Sequence, residues 1–188
     1  MRYLSLPLLI FYLSGPSCGQ SLVAFQRLEA CNDWQCVVAL AGEGSTLRLD
    51  RSIPWRLPLR RQSARLTSGF GYRVHPIEGG RSFHDGVDIA VPHGSLVVAS
   101  GSGRATTGYD RTLGYYVRID HLNGFTSTYG HLDAVLVRSG DLVAQTSPIG
   151  TVGSSGRSTG PHLHWSTRYR TGGSIDPLEL RRTLLAAF

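Results

Sequence analysis

With 188 residues, 41% of them hydrophobic and 17% charged, the chain can bury one real core and carry a modest extra segment. That balance excludes an intrinsically disordered protein. The formal net charge of +6 comes from arginines that are dispersed rather than blocked. With no helix-turn-helix, zinc-finger or RNA-binding aromatic signature present, a nucleic-acid partner is set aside in favour of an anionic wall polymer or surface.

Arg2 precedes an apolar run over residues 3–13. Ser14, Gly15 and Pro16 follow, and Ser17 and Gly19 place small residues three and one positions before a cut after Gly19. Residues 1–19 therefore read as a secretory signal peptide. The run is too short to span a bilayer as a mature helix, so no stable membrane insertion is expected after cleavage, and the destination is periplasmic or extracellular. Anchoring as a lipoprotein through Cys18 is the weaker reading, because Gly15-Pro16-Ser17 matches a lipobox poorly. Removal of Cys18 leaves the even pair Cys31 and Cys36, suited to one disulfide in an oxidising compartment. Continuous helix would hold that pair too far apart, so a bridge requires a break near Asn32-Asp33.

Leu22, Phe25 and Leu28 recur at helical spacing, and a second helical stretch begins with Asp33 as its cap. Residues 20–58 are read as a helical and then extended segment, interrupted by Pro54 and Pro58. The main domain is placed at 59–180 and a short helix or tail at 181–188. From Leu66 onward the texture is strands and glycine turns. Short strands are expected over 96–99, 115–120, 125–129, 135–137, 142–143, 149–152 and 162–167. Asn123-Gly124 marks a hairpin. Few helical patterns interrupt the series, so the domain reads as all-β and antiparallel.

Three stretches carry chemistry: His84-Asp85-Gly86-Val87-Asp88, Tyr129-Gly130-His131-Leu132 and Pro161-His162-Leu163-His164. On an extended chain His84 and Asp88 face the same side, as do His162 and His164, with Leu163 turned to the core. Imidazole nitrogens with a carboxylate suit Zn²⁺, and a catalytic zinc site takes three protein ligands and keeps one open position. More histidines are present than three ligands require. A spare one is useful as a general base or as a donor to an oxyanion. Spacing alone leaves open which histidines bind metal.

The chain from about Ser68 to Pro177 resembles the LytM/lysostaphin-type zinc endopeptidases that hydrolyse peptidoglycan. The matching stretches are Ser68-Gly69-Phe70-Gly71-Tyr72-Arg73, His75-Pro76, His84 through Asp88, Tyr129 through Leu132 and Ser158 through His164, in the family's order and spacing. The resemblance implies a lysostaphin-like antiparallel β-sandwich with a groove carrying the zinc site. It implies that His84, Asp88 and His164 hold the zinc and that His131 and His162 are the unligated catalytic histidines. The implied reaction is zinc-assisted amide hydrolysis of peptidoglycan cross-bridges. The favoured assignment has His162 taking the water's proton and His131 stabilising the oxyanion, and the two roles can be exchanged. No HExxH helix is present.

Two alternatives stand beside this reading. One is a non-catalytic wall-binding regulator of another hydrolase, against which the presence of all five positions counts. The other is a peptidase acting on an extracellular glycine-rich protein. His75 reads as a structural or cleft-wall residue, and His93 and His121 as turn residues. The Gly- and Ser-rich stretch 150–160 lacks the lysine of a phosphate loop and reads as a flexible cleft wall. Tyr72, Tyr129 and Trp165 read as packing residues before groove lining. Tyr115, Thr146-Ser147-Pro148 and Ser166 depart from the family pattern at positions that affect loops and substrate fit.

Overall fold

The computed structural model describes residues 33–36, 49–59, 64–74, 80–170 and 173–187. Residues Met1–Leu47 form one unit and Arg48–Phe188 another. In the first, Asp33 caps the helical residues 34–36, its Oδ1 accepting the Cys36 amide at 2.7 Å. Cys36 is disulfide-bonded. Residues 1–19, expected to be a signal peptide, and Cys18, Cys31 and His75 all lie outside the described residues.

In the second unit the elements run in chain order from a short helix α1 (Leu49–Ser52) to a C-terminal helix α2 (Pro177–Ala187). Between them lie β1 (Arg65–Ser68), β2 (Gly71–Val74), β3 (Arg81–His84), β4 (Gly86–Ala90), β5 (Leu96–Val98) and β6 (Gly103–Asp110). Then follow β7 (Gly114–Asp120), β8 (Phe125–Val135), β9 (Leu142–Val143), β10 (Pro148–Val152), β11 (His162–Tyr169) and β12 (Ser174–Ile175). The protein is mostly antiparallel sheet, as its short apolar stretches between turns imply.

The main sheet has the order β1-β4-β11-β8-β7-β6-β9, while β10 pairs with β5 and β8, and β2 pairs only with β3. Strand β8 is the branch point. Its first half lies between β11 and β7, and its last residues cross to β10. The core fills the space that this crossing encloses. Val87, Ile89, Leu163, Trp165, Tyr129, Val117 and Ile119 of the main sheet share one buried cluster with Val97, Ile149 and Val152 of β5 and β10. Burying such side chains contributes roughly 1.5–3 kcal/mol each, which is the main force closing the two layers.

The β7–β8 hairpin forms at Asn123-Gly124. Leu122 and Gly124 take φ of 60° and 90°, and Asn123 Oδ1 accepts the Phe125 amide at 3.1 Å. Residues 125–129, expected as one strand, run on to Val135 in one long β8, and of the strand expected over 135–137 only Val135 is extended in the sheet. Strand β6 carried no sequence signal, because only Ala105 among its residues is buried and no apolar alternation results. The short helix α1 interrupts the region expected to be extended. Beyond it Ile53 is fully buried and Pro58 O accepts the Val98 amide at 2.8 Å, so residues 49–58 belong to the same unit as the domain. The domain boundary drawn at 180 falls inside α2. Asp176 caps that helix at the Leu178 amide (2.8 Å), Pro177 occupies its first position, and Leu180 and Leu184 bury one face. Among the described residues no helix is long and apolar enough to cross a membrane.

Candidate metal centre

Strand alternation separates the site from the core. Leu163 and Trp165 point inward, so His162 and His164 lie on the opposite face of β11, and the same parity on β4 sends Val87 and Ile89 inward and Asp88 outward. The β4–β11 register sets His164 directly against Asp88. His84 arrives from the end of β3 in the two-stranded sheet, so the site joins elements that share no ladder.

His131 reaches the site by breaking the alternation. It has the parity of core residue Tyr129, but the β7–β8 register slips by one residue between Tyr129 and Leu132. At this bulge His131 adopts φ of 60°, a left-handed conformation costly for a residue with a Cβ. Its amide donates to Leu113 O at 2.6 Å and its carbonyl accepts from Gly153 at 2.9 Å, which holds the strained geometry. The ring then lies 4.5 Å from that of His162 and 6.1 Å from that of His164, centroid to centroid.

His84, Asp88 and His164 form a group that could hold a metal ion. His164 Nδ1 lies 2.9 Å from Asp88 Oδ1, and His84 Nε2 lies 3.2 Å from both Asp88 Oδ1 and His164 Nδ1. Ligands about 2.0–2.1 Å from a tetrahedral ion stand about 3.3 Å apart, so these three atoms are spaced as one cation requires. Outer hydrogen bonds fix the rings. His84 Nδ1 donates to Gly69 O, His131 Nδ1 to Ser155 O and His162 Nδ1 to Gly160 O, each at 2.8 Å. A carbonyl oxygen only accepts, so in each neutral ring the proton sits outside and Nε2 carries a lone pair.

The electrostatics favour positive charge at the centre. Burial works against the Asp88 carboxylate, yet the His164 and His84 rings set against it hold its pKa well below the ordinary value. Burial likewise opposes charge on His164, but Asp85 and Asp88 on its two sides push its pKa up to about 9. His131 is different. Burial lowers its pKa to about 4, leaving a neutral ring at ordinary pH.

A cleft of about 220 Å³ contains all five residues and is also lined by Arg73, Asp85, Thr112, Leu113 and Arg157. The 150–160 stretch supplies Arg157, Ser158 and Thr159 to one wall, as expected. Arg73 and Asp85 lay within recognised stretches but carried no readable role. Leu113, which lies against Gly130, carried no signal at all. His93 sits exposed in a turn. His121 is buried elsewhere, bonded to Ser102 O and Ser127 Oγ at 2.8 Å each. Tyr129 and Trp165 are core residues, and Tyr72 is exposed on β2 against Phe83.

The model of peptidase family M23 matches residues 82–177, just over half of the chain. The DD-carboxypeptidase/endopeptidase Mpg of Neisseria meningitidis serogroup B is 43% identical over 117 residues, covering 62% of this chain and 27% of that protein. The peptidoglycan DD-endopeptidase ShyC of Vibrio cholerae is 41% identical over 103 residues, covering 54% of this chain and 24% of its own length. The chain thus spans about a quarter of the length of these relatives. A solved zinc-containing peptidase from Vibrio cholerae superposes with a TM-score of 0.59 at 34% identity, covering 64% of this chain and 38% of that one. With the matched segment holding four of the five site residues on one strand pair and its bulged neighbour, and the fifth at its leading edge, the chain belongs to peptidase family M23.

Proposed function

We propose that the protein is an exported zinc endopeptidase that hydrolyses peptide cross-bridges of bacterial peptidoglycan. His84, Asp88 and His164 would hold the zinc, and His131 and His162 would do the proton chemistry. The observation that carries this reading is the convergence of three ligand-type atoms, 2.9–3.2 Å apart, with two further imidazoles in the same cleft. The relatives named as peptidoglycan and DD-endopeptidases support the substrate class. The apolar run over residues 3–13, followed by small residues, supports export.

When bound, zinc polarises a scissile carbonyl and brings the pKa of water to about 7. The chain's own residues supply the rest. With their Nδ1 atoms committed to Ser155 O and Gly160 O, His131 and His162 each turn Nε2 toward the cleft, and burial keeps the His131 ring neutral. An unprotonated ring there removes a proton from the attacking water, and the ring that has taken it becomes a donor to the oxyanion and the leaving amine. The 4.5 Å ring separation lets the pair share one reacting carbonyl. Arg73 and Arg157 line the cleft and lend it positive charge against an anionic peptide.

Digestion of purified sacculi by the zinc-loaded chain, with released fragments identified by mass spectrometry, tests the reading. New peptide ends that disappear with chelator and with His131→Ala are expected. Intact sacculi in the presence of a zinc-loaded chain would overturn it.

A further inference from the structure

The ring of His164 is gripped on both sides by carboxylates of one short segment. Nδ1 faces Asp88 Oδ1 at 2.9 Å, and Nε2 faces Asp85 Oδ1 at 3.5 Å. Asp85 sits between β3 and β4, where Gly86 lets β4 pass close beneath the ring, and its other oxygen lies 3.6 Å from Arg168 Nη2 on β11. The other three histidines of the cleft satisfy their outer nitrogens with neutral backbone carbonyls. His164 alone among these four has a charged acceptor there.

We propose that Asp85 is a positioning residue for the metal centre, accepting the Nε2–H of His164 so that the Nδ1 lone pair points at the metal, with Arg168 steadying the carboxylate. The inference rests on the reading of His84, Asp88 and His164 as ligands. An imidazole has one proton in its neutral form, and ligation through Nδ1 requires that proton on Nε2. An acceptor at Nε2 selects this tautomer and sets the ring plane, and a negative one also raises the basicity of the ligating nitrogen. Asp85 is 41% exposed at the lip of the cleft, so its carboxylate is ionised at neutral pH and its replacement empties no core. Arg168 is more exposed still and acts on His164 only through Asp85.

The test is zinc affinity of the full chain, measured by competition with a chromophoric chelator, alongside the melting temperature of the metal-free protein. Asp85→Ala is expected to bind zinc about 10–100-fold more weakly, while the metal-free chain still melts cooperatively, lowered only by the loss of its ion pair with His164. Asp85→Asn, which keeps an acceptor oxygen without the charge, falls between, and Arg168→Gln shows a smaller loss. Zinc affinity of Asp85→Ala within about twofold of the parent overturns the inference while leaving the ligand set intact. A metal-free Asp85→Ala chain that no longer melts cooperatively overturns it too, by showing a structural role. A parent chain that takes up no zinc sinks the ligand reading itself, and the inference with it.

Discussion

Gly86 lies directly beneath the His164 ring. A Cβ built on Gly86 would stand 3.0 Å from His164 Cε1, 2.8 Å from Ser166 Cβ and 2.5 Å from Trp165 O. Two of these neighbours belong to a paired strand and its backbone, so they cannot step aside as a flexible side-chain end can. The glycine is the space that lets His164 reach Asp88 across the β4–β11 register.

Gly86→Ala is therefore expected to cost about 1–3 kcal/mol of stability through overpacking. It should also weaken zinc binding by about tenfold or more through displacement of the ring. Denaturant unfolding and chelator competition on the same preparation check both, and a variant with the parent's stability and affinity would show that the sheet relaxes around a methyl group.

Ligand and proton-transfer roles separate by readout. His84→Ala and Asp88→Ala should lose zinc on gel filtration and lose turnover with it. His131→Ala should keep zinc while turnover falls by about 10²–10⁴-fold. Metal content and peptide hydrolysis, measured together, distinguish the two classes. Full zinc occupancy in Asp88→Ala would remove that residue from the ligand set.

The left-handed backbone of His131 makes a second, purely conformational prediction. At φ of 60° alanine keeps the Cβ penalty and glycine escapes it. His131→Gly should be more stable than His131→Ala by about 1 kcal/mol, although neither is active. Equal melting temperatures would mean that the bulge relaxes once the ring is gone.

Acid sensitivity should trace partly to His121, remote from the metal centre. Burial lowers its pKa to about 4 from 6.5. Between those values the unfolded chain takes up a proton that the folded one refuses, so this contribution is fully present above pH 6.5 and lost as pH falls toward 4. The shift corresponds to about 3 kcal/mol. His121→Gln should be less stable than the parent near neutral pH, because it breaks the bonds to Ser102 and Ser127. The gap should narrow by about that amount near pH 4. Unfolding curves of both proteins, in the same metal state, check the narrowing, and a constant gap would remove His121 as the source.

Much of this protein was legible before folding was considered. Short strand-forming stretches bounded by turns over residues 115–120 and 162–167 placed β7 and β11, and along β7 buried and exposed side chains alternate as residue order implies. The same alternation put His162 and His164 on one face with Leu163 on the other. Glycine and asparagine marked the β7–β8 turn, because left-handed backbone is permitted to few residues. Where no apolar alternation exists, as along β6, a strand is made by its neighbours and left no local signal.

Tertiary structure alone decided how those residues meet. Strict alternation along β8 would turn His131 to the core side with Tyr129, and a one-residue register slip against β7, held by Leu113 and Gly153, turns its ring into the cleft. The partnership of Asp85 with His164 was equally invisible. The two residues are far apart in sequence, and nothing in the chain records that Gly86 clears the space between them. Residue order fixes which side chains a strand can present, since that depends on backbone geometry repeated every two residues. Their distances, tautomers and charges depend on contacts between strands distant in the chain, which arise only when the core closes.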